Sequence, residues 1–523
     1  MTPQRRAMLA YAALALVMLA AAVFYCITLN VRQLHIDEYR TYEIAGKPFV
    51  DMLRNRANVG HAPLYFSLMW GLQQWVDGTE TVLRLPSVGL GVLAIGLVFL
   101  LVRKASSTPA ALIAAALVAA NPVHLYMSQF ARPYALLIVL TLAAACLIQH
   151  ERDPAKPPRT MHYACIALLV TLMCHTSYAA WFIVPVFVLY ALMCRPRRVD
   201  VVIAVIVAGL LLIPWLIYQG YVEVTNQKQM LAHMRWVAPF DVRSAISVPA
   251  KLLVGFDHSP LVPASIGVLA VITFVLAMVG GLQLGPRARL IGMLWSGSIL
   301  LVIIASAATQ MNLVRWPRYY SIVALMQCAL LAGAVAGTRW RWPVWVRLCL
   351  VVLLLAASAV GITAHLSRVP GKRVRDIAQF IQSRRTNDES VVVTASKSVI
   401  FQFGYYFQGQ YDSAAFSRDK DQPLPERVEL FDVAAPGSGQ PWSLLLPSHD
   451  APPSSLWLCL SSFAADRYLK SDAYEQLFDA QTHIDHLRSH YQTADSYEFG
   501  ILTAWHLRDL NRDPASPPAP SQP

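Results

Sequence analysis

Apolar runs of about 20 residues recur through the first two-thirds of the chain. A run of that length crosses the hydrocarbon core of a bilayer as an α-helix, at 1.5 Å of rise per residue. Of the 523 residues, 56% are hydrophobic and only 14% are charged, with a mean hydropathy of +0.45. A soluble fold of this size has too few charges to cover that much apolar surface. The sequence therefore specifies an α-helical polytopic membrane protein. The net charge of +12 sits largely in short loops between apolar runs, where it sets topology. Nucleic acid is excluded as a partner on that ground, and the lipid bilayer is the first partner.

The Lys/Arg clusters at 103–104, 152–159, 195–198, 287–289 and 339–347 mark cytoplasmic loops. Arg5 and Arg6 precede the apolar run from Ala7 to about Leu29. That run is too long for a signal-peptide core, so it reads as an uncleaved first helix with a cytoplasmic N-terminus. The next full-length run is 81–102, and further runs lie at 109–124, 130–149, 161–175, 177–194, 200–219, 262–283, 289–308, 318–337 and 345–366. The expected total is about eleven crossings. Pro63 to Trp75 is apolar but short, which suits an interfacial or re-entrant helix.

Residues 1–366 thus form a transmembrane module with outer loops at 30–80 and 220–261. The second loop carries Trp236, Phe240, Val248 and Leu252 among polar residues and reads as partly ordered and membrane-skimming. Composition then changes. Helical periodicity at Val374 to Ser383 and Tyr468 to His490 alternates with strand-like runs at Ser390 to Thr394, Leu456 to Leu460 and Gly500 to Leu507, so 367–508 reads as a small extracytoplasmic α/β domain. Residues 509–523 are Pro/Ser-rich and expected to be disordered. Seven of the eight cysteines lie in or beside apolar runs, with no CxxC pair. Neither a disulfide scaffold nor a zinc framework is indicated.

Polar residues at membrane level are costly, so each is a candidate for function. Directly after the first helix come Asp37 and Glu38, with Arg40 three residues on. On a helix Asp37 and Arg40 share a face, while Glu38 is turned about 100° away. Next come His61-Ala62-Pro63-Leu64-Tyr65, then Arg84-Leu85-Pro86-Ser87, then Ser128-Gln129-Phe130-Ala131-Arg132-Pro133-Tyr134, and finally Arg315-Trp316-Pro317-Arg318-Tyr319. The expected topology puts all of them, and His175, on the outer face. Each also has a plain structural reading. Arg84, Arg132 and Arg318 can snorkel to lipid phosphate, His61 can be a helix start, and His175 a turn residue.

In this order the motifs resemble the polytopic glycosyltransferases of the GT-C fold, in the branch related to protein O-mannosyltransferases and lipid A aminoarabinose transferases. The resemblance is best over residues 8 to about 195, looser over 200–366, and in the tail extends only to a similar layout. It implies a sugar donor on a polyprenyl phosphate and a catalytic carboxylate in the first outer loop. Asp37 matches that carboxylate, Glu38 its neighbour, and Arg40 an arginine near the donor phosphate. His61 stands where the aminoarabinose transferases have a lysine before Pro-Pro, and Ala62 relaxes that turn. Phe130 occupies a position that is acidic in many relatives.

The chemistry is consistent with this from the residues alone. An acceptor hydroxyl needs a base, which Asp37 can be. A departing phosphate needs cations, which Arg40, Arg132 and Arg318 can supply through paired donors. His61, Tyr65, Arg84, His175 and Tyr319 complete the set of candidate substrate-binding residues. Direct displacement with inversion is expected. A divalent ion bridging Asp37 and phosphate is compatible with the site, but no further acidic pair calls for one, so no metal ligand is assigned. The acceptor, a glycan, lipid or protein, is left open, as is the sugar. The compact size suits a bacterial inner membrane. A transporter or flippase of lipid-linked sugars is the alternative; against it, the charges gather at the outer face and no inverted repeat is apparent. A membrane scaffold whose tail binds partners is a third reading.

Overall fold

A computed structural model of the protein describes residues 2–149, 160–193, 199–225, 239–255, 263–337, 342–367, 373–384, 390–395, 402–403, 405–407, 428–432, 455–461, 491–499 and 502–509. Its contacts divide the chain into two compact units. One is Met1–Val31 with Thr41–Arg368, and the other is Arg32–Arg40 with Val369–Pro523.

The first unit begins with α1 (Pro3–Ile27). A helical stretch, α2 (Ile36–Ala45), runs from the second unit into the first and leads to two short helices, α3 (Phe49–Asn58) and α4 (Leu64–Gln73). The bundle continues through α5 (Glu80–Ala105), α6 (Thr108–Ala119), α7 (Pro122–Ser128), α8 (Tyr134–Ile148), α9 (Thr160–Thr176), α10 (Val184–Met193) and α11 (Val199–Thr225). After two short helices, α12 (Val242–Ile246) and α13 (Val248–Val254), it closes with α14 (Pro263–Leu284), α15 (Arg289–Thr309), α16 (Ser321–Ala336) and α17 (Val344–Ser367).

Among the described residues, six helices are long and apolar enough to cross a membrane, and the α6–α7 pair makes a seventh if counted as one span. Four shorter apolar stretches, Tyr134–Ile148, Thr160–Thr176, Tyr178–Met193 and Ser321–Ala336, fall on the other segments marked by the sequence. Against about eleven crossings expected from the sequence, six or seven segments among the described residues have the length to span alone. The reason for the shortness of α16 is visible: it is buried along nearly its whole length. A helix packed inside protein has its backbone satisfied and need not match the bilayer. The segment after Pro63 is a ten-residue helix, α4, too short to span.

Local chemistry sets the helix ends. Ser107 and Thr79 cap α6 and α5, their side chains accepting from the Ala110 and Val82 amides. Between α6 and α7 the chain bends by 64°. Pro122 cannot donate to the preceding turn, and the Asn121 side chain instead accepts from the His124 amide at 3.0 Å, so a new helix starts there. Close packing is tightest where α14 crosses α16. A Cβ on Gly280 would lie 1.7 Å from the Leu330 carbonyl oxygen, so only hydrogen fits.

Of the loop expected at 220–261, residues 220–225 and 239–255 are described. Helix α11 continues to Thr225, and Val248 and Leu252 on α13 are fully buried in the bundle core, with Phe240 packed against it. The alternation of apolar and polar residues marked one buried face, and that face meets protein rather than lipid. Trp236 lies outside the described residues.

In the second unit α18 (Val374–Arg384) precedes a sheet of order β2-β1-β3-β5-β4. The strands are β1 (Ser390–Ala395), β2 (Val428–Asp432), β3 (Ser455–Ser461), β4 (Tyr491–Phe499) and β5 (Leu502–Asp509). Strand β1 runs parallel to β2 and β3, and β5 antiparallel to β3 and β4. The apolar runs read from the sequence fall in β1, β3 and β5; β2 and β4 carried no comparable signal. Trp457 is the anchor of the sheet face under α18. It stacks on His506, with centroids 4.5 Å apart, and meets the Phe380 ring edge-on at 6.1 Å. The helix expected at Tyr468 to His490 and the tail 510–523 lie outside the described residues.

The Gly280 contact sets a measurable expectation. Gly280→Ala forces α14 away from α16 and lowers stability by about 1–3 kcal/mol, seen as a lower midpoint for thermal unfolding in detergent. Gly209→Ala, on α11 with nothing within 4 Å of the added carbon, leaves the midpoint unchanged or raises it.

Candidate functional site

The acidic stretch begins with a helix start built by side chains. His35 immediately precedes α2, and its carbonyl accepts from the Glu38 and Tyr39 amides, each at 2.9 Å. Its Nδ1 accepts from the Asp37 amide at 3.1 Å, and its own amide donates to Glu38 Oε2 at 2.9 Å. This is the reciprocal capping box, with an imidazole in place of the usual hydroxyl. Glu38 also lies at the end of the helix that favours acidic side chains.

Two adjacent carboxylates are thereby given different surroundings. Glu38 is 1% exposed and tied to the His35 amide. The Asp37 side chain is 33% exposed and so can be reached by a substrate. One residue of helical rotation separates them, which is why the pair does not act as one group. Arg40, on the Asp37 face of the same helix, is half-buried.

In the first unit, a cluster of cations forms around one ring. Phe66 on α4 is 1% exposed. The Arg56 guanidinium lies 4.7 Å from its centroid and that of Arg132 5.5 Å. The His61 ring is 5.7 Å away, and the Tyr65 ring meets Phe66 edge-on at 5.8 Å. Arg132 also donates to Thr41 Oγ1 at 3.4 Å. Both guanidiniums are nearly inaccessible, Arg56 at 4% and Arg132 at 5%. The ring face provides favourable electrostatics for each.

Arg132 is held there by the residues around it. Gln129 donates to the Tyr25 carbonyl at 2.9 Å and to Thr28 Oγ1 at 2.7 Å. Ser87 on α5 donates to the Phe130 carbonyl at 2.9 Å, and His124 Nε2 lies 3.1 Å from the Gly91 carbonyl. A Cβ on Gly91 would sit 2.1 Å from Ser128 Oγ, so α5 and α7 can approach this closely only at a glycine. The Ser-Gln-Phe-Ala-Arg motif is thus pinned to α1 and α5 along its length.

The other residues singled out from the sequence are placed differently. Arg84, 2% exposed, donates to the Leu29 carbonyl at 2.9 Å and to Glu80 Oε1 at 2.8 Å; it ties α5 to the end of α1. The His175 ring nitrogen Nδ1 lies 2.9 Å from the Thr171 carbonyl of its own helix. Arg318 stands 5.2 Å from the ring centroids of both Trp316 and Tyr319 and belongs to a second aromatic–cation group, with Arg315 over Trp316 at 5.8 Å. Arg56 was missed. Its signal was available: Met52 and Arg56 are four residues apart on the buried side of α3, and an arginine on an apolar helix face is unusual. Among the described residues no group of three or more His, Cys, Asp or Glu side chains is placed to hold a metal ion.

Comparisons with known proteins agree with this architecture. A family profile described as dolichyl-phosphate-mannose-protein mannosyltransferase matches residues 60–218. The structure is similar to ArnT from Cupriavidus metallidurans in the apo state, with a TM-score of 0.56 at 16% identity, covering 94% of this chain and 97% of that one. The same enzyme bound to undecaprenyl phosphate gives 0.55 at 16% identity, with equal coverage. No curated protein sequence matched. The chain has the ArnT-like GT-C fold.

The helix start separates the two carboxylates experimentally. Glu38→Ala removes the cap and costs about 1 kcal/mol of stability, with faster amide exchange over 35–39. Glu38→Gln keeps an acceptor oxygen and most of the protection. Asp37→Asn leaves both stability and exchange unchanged.

Proposed function

We propose that this protein is a membrane glycosyltransferase that moves a sugar from a polyprenyl phosphate to an acceptor on the extracytoplasmic face. The observation that carries the reading is the disposition of Asp37. It is a reachable carboxylate at a rigidly capped helix start, beside a glutamate whose oxygen is engaged in the cap. The fold supports it, since ArnT, which shares that fold, has been seen with undecaprenyl phosphate bound. The match of residues 60–218 to the mannosyltransferase profile supports a sugar phosphate as the donor class.

In this reading Asp37 accepts the proton of an acceptor hydroxyl as its oxygen attacks the anomeric carbon. The bond from that carbon to the donor phosphate oxygen breaks, and polyprenyl phosphate leaves with the electron pair. Configuration inverts, with no covalent enzyme intermediate. An acceptor that is itself an ionised phosphate reacts the same way without the proton transfer. Arg40, on the same helix face as Asp37, is the cation proposed for the phosphate charge that grows as the bond breaks. In the other unit Arg132, Arg56 and His61 gather around Phe66, where Tyr65 and Phe66 hold the guanidiniums in a dry setting suited to a lipid-linked phosphate. Glu38 positions Asp37 and takes no part in proton transfer. Arg84 ties α5 to the end of α1, and His175 bonds within α9. Arg318 and Tyr319 contact the acceptor or the lipid headgroup.

Two variants test this in nanodiscs, with undecaprenyl-phosphate-linked sugars extracted from bacterial membranes as donor and released undecaprenyl phosphate measured by mass spectrometry. Asp37→Asn lowers turnover by about 100-fold or more, with undecaprenyl phosphate binding unchanged; turnover equal to the unsubstituted protein refutes the assignment. Arg132→Lys loses the paired donors and weakens undecaprenyl phosphate binding by roughly tenfold. Alkaline phosphatase fused after Asp509 is expected to be active, which requires an extracytoplasmic C-terminus.

A further inference from the structure

The stretch Arg32–Arg40 shares a compact unit with the residues from Val369 onward, not with the helices that flank it in sequence. Contacts among the described residues make that connection. The Leu34 amide donates to the Tyr406 hydroxyl at 2.5 Å, and the Leu34 carbonyl accepts from Gln402 Nε2 at 2.6 Å. Gln33 Oε1 accepts from the Arg375 amide at 3.3 Å. On the other side of Asp37, the Tyr39 ring meets Tyr405 edge-on at 6.4 Å. Leu34 is fully buried, as are Phe403 and, nearly so, Gln402, Tyr406 and Phe407.

We propose that Gln402 and Tyr406 are positioning residues for Asp37, so that the C-terminal domain sets the geometry of the reaction. This rests on the role given to Asp37 above. The argument is one of constraint. Buried backbone groups must be paired, and both polar groups of Leu34 find their partners in two side chains of one short segment. A donor and an acceptor on the same residue fix its position and its rotation together. The next residue, His35, is the cap of α2: its amide goes to Glu38, its carbonyl to the first helical amides, and its ring to the Asp37 amide. From Leu34 to Asp37 the backbone therefore has no unconstrained step. Tyr405 against Tyr39 holds the far side of the same turn. The side chains of Gln402, Tyr405 and Tyr406 thus bracket the carboxylate at both ends.

A loop in this position would otherwise move. Residues 28–35 contain no helix or strand of their own beyond a turn, and a shift of about 1 Å at a reacting group can lower a rate by on the order of 100-fold. The side chains of Gln402 and Tyr406 remove that freedom.

The test uses the full-length protein in nanodiscs with Tyr406→Phe, which removes one oxygen, Gln402→Met, which keeps the volume, and both together, alongside Asp37→Asn. Three quantities are read: amide exchange of the peptide covering 33–40, turnover with the extracted donors, and affinity for undecaprenyl phosphate. The expected result is faster exchange over 33–40, a fall in turnover of about 10- to 100-fold in the double variant, and unchanged undecaprenyl phosphate affinity. A merely structural role predicts instead that affinity and turnover decline in parallel, and that result overturns the proposal. So does exchange that stays slow, or faster exchange with full turnover. If Asp37→Asn is inactive while the double variant turns over normally, the positioning role fails and the function of Asp37 stands. If Asp37→Asn is fully active, the functional reading fails and this one with it. Should the double variant not reach the membrane, each single substitution carries the same test.

Discussion

A polar group buried in an apolar bundle has to find its partner within the protein, because neither packed hydrocarbon nor lipid tails offer one. The placement of Arg132 follows from that constraint. The Phe130 carbonyl takes Ser87, the Gly91 carbonyl faces His124, and Gln129 reaches the Tyr25 carbonyl and the Thr28 hydroxyl. The bonds at Phe130 and Gln129 tie motif residues to α5 and to the end of α1, and His124 ties the helix that leads into the motif to α5, so the motif cannot shift without leaving a polar atom stranded. Ser128 lying against the bare hydrogen of Gly91 makes the approach close enough for those bonds to form. The guanidinium at the end of this motif inherits the rigidity, and the face of Phe66 receives it together with Arg56.

The same constraint separates the two acidic residues. Glu38 is buried and answers the His35 amide, which a helix start leaves without an intrahelical partner. Asp37, one step round the helix, keeps a third of its side chain open. A partly exposed carboxylate held in place by a neighbour's cap suits a base, because preorganisation at the backbone lowers what has to be reorganised during reaction. The imidazole of His35 as a cap is unusual, and it links the helix start to Leu34 and thereby to the tail.

Much of this was legible along the chain. The apolar runs marked where helices α1, α5, α11, α14, α15 and α17 lie, because a bilayer demands a length that few soluble helices need. Strand-like runs at 390–394 and 456–460 marked two members of the sheet. The run expected as one segment at 109–124 is instead broken at Asn121-Pro122, where a donor is missing and a cap takes its place. What was less legible were helices such as α16, shorter than a span because protein surrounds it, and α13, whose Val248 and Leu252 meet the core rather than the membrane surface. Hydropathy records that a face is apolar; it does not record what covers it.

The sequence by itself determined the class of fold and brought an acid, a glutamate and an arginine to the start of one helix. It could do so because period, length and charge are local properties. Only the tertiary structure decided which partners each polar group meets. Arg84 and Arg132 look alike in sequence, yet one is engaged by Leu29 and Glu80 and the other lies over Phe66 with Arg56 beside the same ring. Likewise nothing around His35-Ile36-Asp37-Glu38 signals that Gln402 and Tyr406, more than 360 residues onward, hold Leu34 in place. Partners for buried polar atoms are chosen across the fold by which surfaces meet, and adjacency of that kind leaves no trace in a one-dimensional pattern.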